Sequence, residues 1–154
     1  VQNGTSMREI VEHNGGAVLA AVTDEGKLVM VRQYRKAAKR VMLEVPAGKI
    51  DPGESAETTA KRELKEETGY TPKHVRFLMQ FFPSVGYSEE ILYLYLCTGL
   101  EAGETHFDEN EALDIEEYEI DELYEMVMAG KIEDGKTIIA ILTVKKLMEE
   151  GKLA

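Results

Sequence analysis

GKIDPGESAETTAKRELKEETGY, Gly48 to Tyr70, is the stretch around which the rest of the chain can be read. Asp51-Pro52-Gly53 is a turn signal, because Pro presets its own φ and Gly accepts a positive one. From Ser55 the pattern becomes helical: Ala56, Ala60 and Leu64 recur at one face and make an apolar stripe. Gly69 stands where a helix ends in a left-handed residue. On that helix Glu63 and Glu67 are one turn apart and Glu66 lies between them, so their carboxylates can converge on one side. Like charges at this spacing repel and weaken a helix unless a cation joins them. A cluster of carboxylate oxygens is what Mg2+ and Mn2+ select. The bland alternative is a solvated Glu/Lys-rich face, the usual fate of such helices. The spacing of the whole stretch decides against it.

The composition bounds the rest. The chain has 154 residues, long enough for one domain with a real core. Its net charge of -11, from 29 acidic and 18 basic residues, argues against a nucleic-acid backbone or an anionic membrane as partner. An anionic small molecule remains accessible if cations mediate the contact. One cysteine, Cys97, excludes an internal disulfide and suits a reducing, cytoplasmic setting. It lies in the apolar run 91–97, which makes it a buried structural thiol rather than a nucleophile. No stretch has the length of a membrane span or reads as a signal peptide. There is no internal repeat, no Walker loop and no dinucleotide-binding glycine fingerprint. His13, His74 and His106 have no zinc spacing and no triad partner, and the seven Met residues read as packing.

Taken in order, residues 1–13 are polar and then extended, with a hairpin turn expected at Asn3-Gly4. Runs 17–22 and 27–33 read as strands flanking the turn Asp24-Glu25-Gly26. Residues 41–46 read as a strand that ends at Ala47-Gly48. After the helix come strands at 75–82 and 91–97, separated by the loop 83–90. Tyr93 and Tyr95 alternate with Leu92, Leu94 and Leu96, as in a strand buried on both faces. Residues 99–111 read as a long acidic loop, and 113–120 as a last strand. Asp121 is expected to cap a helix that stops at Gly130, and a C-terminal helix is expected over 137–149 with Ile138, Ile141, Leu142 and Val144 in the core. The class is α/β.

The stretch Gly48–Tyr70 fits the pattern G-x5-E-x7-R-E-apolar-x-E-E-x-G-apolar, which resembles the signature box of the Nudix hydrolases. That resemblance implies an α/β/α sandwich with a mixed β-sheet, formed by residues 1–154 as a single Nudix hydrolase domain. It also implies hydrolysis of a diphosphate linkage with divalent ions, Mg2+ or in its place Mn2+, at two or more per site. Glu63 and Glu67 would be metal ligands, with Glu66 in the same cluster and the backbone carbonyl of Ala47 completing it. Glu54 and Arg62 would orient the cluster through an internal ion pair.

Three features outside the box narrow the resemblance to the ADP-ribose pyrophosphatases. Val31-Arg32-Gln33-Tyr34-Arg35, followed by Leu43-Glu44-Val45-Pro46-Ala47-Gly48, looks like their approach to the box and implies that Arg35 meets the substrate's phosphates. Arg8-Glu9-Ile10 is similar to their N-terminal motif, and Arg8 would help hold the adenine. Ser84-Val85-Gly86-Tyr87-Ser88-Glu89-Glu90 resembles their substrate loop, commonly Ser-Pro-Gly-aromatic-x-acidic-Glu; Val85 departs from it. Ser84 and Gly86 would approach the substrate, and Glu90 the metals or the terminal ribose. In the acidic loop Glu109 would be the general base, with Glu111 as second choice. The implied activity is cleavage of ADP-ribose to AMP and ribose 5-phosphate. The alternatives are hydrolysis of another nucleoside diphosphate sugar, which Val85 keeps open, and a domain that senses a nucleotide without cutting it. Such sensors usually have a degraded box, and every fixed position is intact here. The expected partner beyond the substrate is a second copy of the chain, a homodimer with residues 1–13 in the dimerisation segment. Because the chain starts at Val1 rather than Met, that segment is expected to be short or incomplete.

Overall fold

Strand β1, Gly16–Ala21, lies at the centre of the molecule, and all six of its residues are buried. The computed structural model describes residues 3–103 and 114–153. β2 is Lys27–Arg35, β3 Arg40–Glu44 and β4 Ala47–Lys49; helix α1 follows at Ala56–Thr68. Then come β5, Thr71–Phe81, β6, Leu92–Glu101, and β7, Asp114–Glu119, and the helices α2, Ile120–Met128, and α3, Gly135–Glu149. One sheet has the order β4-β1-β6-β5 and the other β3-β2-β7. The first is mixed: β1 pairs parallel with β6 and antiparallel with β4, while β5 and β6 are antiparallel.

Alternation along β1 divides the core into two layers. Ala17, Leu19 and Ala21 point to the side of α1, where Ala60 and Leu64 meet them together with Tyr95 and Cys97. Val18 and Ala20 point the other way, to Leu123 of α2 and to Ala140, Ile141 and Val144 of α3. β6 divides likewise, with Leu92, Leu94 and Leu96 on one side and Tyr95 and Cys97 on the other. Helices therefore cover both faces, giving the expected α/β/α arrangement with a mixed sheet. Each fully buried leucine, Leu64 among them, contributes about 1.5–3 kcal/mol by leaving water.

Several local expectations are corrected. β1 and β2 flank the turn as expected but lie in different sheets; the Val22–Leu28 bridge and the Thr23 amide on the Lys27 carbonyl link them at the turn, and β2 pairs with β3 and β7. The strand expected over 41–46 ends at Glu44, and the box opens in a strand of its own, because β4 adds to the edge of β1. The N-cap of α2 is Glu119, with no side-chain cap bond; Asp121 lies inside the first turn and accepts from Lys145 Nζ at 2.9 Å. α3 starts at Gly135 rather than 137, and Leu142 is 40% exposed, on the face turned from the sheet. Asn3 has a positive φ, but residues 4–10 have no regular structure and no strand pairs across the expected Asn3-Gly4 turn among the described residues. No helix among the described residues is long and apolar enough to cross a membrane.

Candidate active site

Helix α1 is held at both ends by its own sequence. Ser55 Oγ accepts from the Thr58 amide at 3.1 Å, which satisfies one of the unpaired N–H groups of the first turn. Gly69 takes φ 78°, and its amide donates to the Lys65 carbonyl at 2.9 Å. Ala60, Leu64, Thr59 and Thr68 face the core. That rotation leaves the acidic residues along the edge that passes β4.

There the helix and strand nearly touch. A Cβ added to Gly48 would lie 2.0 Å from Glu63 Cδ and 2.4 Å from Glu63 Oε1. Only glycine admits the Glu63 carboxylate against the strand. Arg62 gathers the other acids. Its Nε donates to Glu54 Oε2 and its Nη2 to Glu54 Oε1, each at 2.9 Å. Its Nη1 donates to Glu63 Oε1 at 2.8 Å and to Glu66 Oε2 at 3.1 Å. Its Nη2 also reaches the Lys49 carbonyl at 3.3 Å, tying helix to strand a second time. Glu54 Oε1 accepts in addition from Thr59 Oγ1 at 2.5 Å. The Arg62 bonds first, and then Thr59, hold the Glu54 carboxyl down to about 2. The Glu54 bonds push Arg62 above its ordinary range, so both groups stay ionised at neutral pH.

Glu67 Oε2 is shut away from solvent on the same helix. Among the described residues, no three His, Cys, Asp or Glu side chains close around one point as they stand. Arg62 Nη1 bridges Glu63 and Glu66 instead. The donor set is nevertheless all carboxylate and carbonyl oxygen, which fits a hard divalent cation rather than a soft one.

Arg35 is the last residue of β2, in the other sheet. Its Nε donates to Glu44 Oε2 and its Nη2 to Glu44 Oε1, both at 2.7 Å. The Glu44 bonds raise the Arg35 pKa most, burial opposes them, and the charges of Glu44, Asp134 and, least, Glu67 add to the rise. Glu44 is 1% exposed, while the Arg35 side chain is 42% exposed. Glu44 entered the sequence reading only as part of a motif. It is held in turn by Lys136 Nζ at 2.6 Å, a residue that the sequence reading missed. The available signal was a set of polar residues, Asp134, Lys136 and Thr137, at the start of an otherwise apolar helix.

The loop 84–90 leads into β6 at the same end of the sheet. Gly16 of β1 pairs with Leu92 on one side and Lys49 on the other, so the loop and the box are neighbours across β1. The amides of Tyr87 and Ser88 donate to the Ser84 carbonyl. A Cβ on Gly86 would meet nothing within 4 Å. His13 Nε2 lies 3.2 Å from Glu90 Oε2. His13 Nδ1 accepts from the Gly15 amide at 2.9 Å, which leaves Nε2 as the donor. The backbone of Val11 pairs with Tyr87 and Glu89, so the N-terminal segment straps this loop. Arg8 donates to its neighbour's Met7 carbonyl and, with Ile10, lines a groove against Val85, Gly86, Tyr87, Ser88 and Glu89. Glu109 and Glu111 lie outside the described residues. A second cleft, lined by Asp24, Glu25, Lys27, Tyr70 and Glu117 among others, opens where β1 ends, the opposite end from Gly16, and is dominated by negative charge.

The NUDIX domain family model matches residues 13–141. The chain belongs to the Nudix family, and it is an enzyme of that family, a Nudix pyrophosphatase; enzymes of the family in general use divalent metal ions. It is 43% identical over 139 residues to a protein of Bacillus methanolicus named methanol dehydrogenase activator, an alignment covering 89% of this chain and 75% of that one. It is 40% identical over 151 residues to a Bacillus subtilis protein named ADP-ribose pyrophosphatase, covering 96% and 82%. A solved structure described as an ADP compounds hydrolase superimposes with a TM-score of 0.80 at 23% identity, covering 92% of this chain and 75% of that one, which shows the shared fold.

Proposed function

We propose that the chain, acting as one Nudix domain, hydrolyses the diphosphate linkage of ADP-ribose to AMP and ribose 5-phosphate. The observation that carries this reading is the Glu54–Arg62–Glu63–Glu66 cluster packed against Gly48. Beside it in the chain, the Arg35 guanidinium is docked on Glu44, shortly before Ala47-Gly48. The 40% identity to the Bacillus subtilis ADP-ribose pyrophosphatase over nearly the whole chain supports the choice of substrate.

Glu63, Glu66, Glu67 and the Ala47 carbonyl would hold Mg2+, or Mn2+ in its place, as two or more ions. When bound, such ions neutralise diphosphate oxygens and make water a stronger nucleophile at neutral pH. Arg62 and Glu54 set the direction of the Glu63 and Glu66 carboxylates. Arg35 uses two of its five N–H donors on Glu44, and its opposite edge is left for a phosphate. Ser84, Gly86 and Glu90 line the sugar side, with His13 orienting Glu90, and Arg8 takes the adenine end. Glu109, or Glu111 after it, removes the proton of the attacking water. The exposed side chains of Met7, Ile10, Val85 and Tyr87 form an apolar surface around the Arg8 groove, which supports a homodimer joined there.

The test is turnover with Mg2+ on ADP-ribose, GDP-mannose and UDP-glucose, read as released monoester, with Glu67→Gln as control. Preference for ADP-ribose, lost in the variant, is expected. Preference for another sugar nucleotide moves the substrate assignment to the runner-up and the question to Val85. Tight binding without turnover makes the domain a sensor. The name of the Bacillus methanolicus relative favours a second reading, action on a dehydrogenase, and adding the chain to a methanol dehydrogenase tests it separately.

A further inference from the structure

A polar network joins the start of α3 to the segment that leads into the box. Glu44 and Thr137 are buried, at 1% and 0% exposed. A carboxylate so far from water needs ionic partners. Glu44 has two: Arg35, through two bonds of 2.7 Å, and Lys136, whose Nζ donates to Oε1 at 2.6 Å. Lys136 Nζ also donates to Asp134 Oδ2 at 2.8 Å, and Thr137 Oγ1 donates to the same oxygen at 2.6 Å. Thr137 Oγ1 in turn accepts from the Val45 amide at 3.1 Å. The first turn of α3 thus grips both Glu44 and Val45, the two residues that precede Pro46-Ala47.

We propose that Lys136 and Asp134 are positioning residues for Arg35: they fix the buried Glu44 carboxylate, and Glu44 fixes the plane in which Arg35 presents its outer edge to a substrate phosphate. This rests on the reading of Arg35 as the phosphate contact. A carboxylate bound on one side only can rotate about its last bond and carry the guanidinium with it. Lys136 on Oε1 removes that freedom. Lys136 itself is steadied by Asp134 and is only 13% exposed, too enclosed to serve as a free phosphate ligand.

A double-mutant cycle on the whole chain tests it. Lys136→Met is expected to raise KM for ADP-ribose by about tenfold, with kcat within about threefold, since truncating one partner of a buried charge pair disturbs the other. In an Arg35→Ala background the same substitution is expected to change KM by less than about twofold, because its effect runs through Arg35. Lys136→Arg is expected to restore most of the loss. An equal rise in KM in both backgrounds, or a lowered Tm with KM unchanged, overturns the proposal. Should Lys136→Met fail to fold, Asp134→Asn takes its place in the cycle with the same expected outcomes. Wild-type protein that binds ADP-ribose without cleaving it defeats the pyrophosphatase reading alone, and the cycle is then read as dissociation constants. Wild-type protein that ignores ADP-ribose defeats the substrate assignment, and the cycle is run with the nucleotide the panel selects.

Discussion

Glu63 of α1 packs its carboxyl group against the Cα of Gly48 in β4, with no room between them for a methyl group. The contact joins the helix that carries the acids to the strand that carries the Ala47 carbonyl. Gly48→Ala puts a carbon 2.0 Å from Glu63 Cδ and 2.3 Å from Glu63 Cγ, so the whole side chain must leave rather than only its tip. A misplacement of about 1 Å near the chemistry can cost a factor of roughly one hundred. We expect Gly48→Ala to fold and to lose turnover by about that factor, measured as kcat/KM beside a circular dichroism melt.

Arg62 makes the acid stability of the protein depend on Glu54. The Glu54 carboxyl is held at about 2, below its usual 4.5. A depressed folded-state value means that the group's contribution is fully present above the unfolded value. It is lost as pH falls through the window from about 4.5 to about 2. Glu54→Gln is therefore expected to be less stable than wild type at pH 6 and to flatten the acid limb of the stability curve. Urea midpoints at pH 6, 4 and 3 check this; a difference between the proteins that stays constant over that range would contradict the assignment.

Leu64 is the side chain that seats α1 on the sheet, fully buried beside Ala17, Leu19 and Tyr95. Leu64→Ala should cost about 2–5 kcal/mol, the transfer term plus the cavity it leaves. Chemical denaturation measures the loss, and because Leu64 lies between Glu63 and Glu67 in sequence, turnover should fall with it.

Cys97 is buried in β6, and burial pushes its thiol up to about 12. At pH 8 it is a neutral thiol in an apolar layer, and the thiolate is the reactive form. A thiol reagent should leave the native protein unmodified for as long as it stays folded and label one site per chain in 6 M guanidinium. Rapid labelling of the folded protein would show that the layer between α1 and the sheet opens.

Much of the site was legible because it is local. The helix start near Ser55, the stripe through Ala60 and Leu64, the stop at Gly69 and the acids one turn apart all follow from the 3.6-residue period and backbone sterics. The alternation of Leu and Tyr in β6 foretold two buried faces, since a strand shows successive residues to opposite sides. Other local signals misled. Asp121 was a good cap by residue type, but the chain enters α2 directly from β7, so Glu119 takes the cap position. Leu142 was apolar within a largely apolar helix, and periodicity could not say which side would meet the sheet.

The sequence by itself determined the box helix, its charges and the class of the fold, because each depends on residues within a turn or two of one another. Only the tertiary structure decided what those charges meet. Arg35 is paired with Glu44, Glu44 with Lys136 from 92 residues further on, and Glu90 with His13. It also decided that β1 and β2, adjacent in sequence, part into different sheets. Such pairings carry no period. They arise when the helices and the two sheets pack together and a carboxylate left inside must find the cations that the packing has brought beside it.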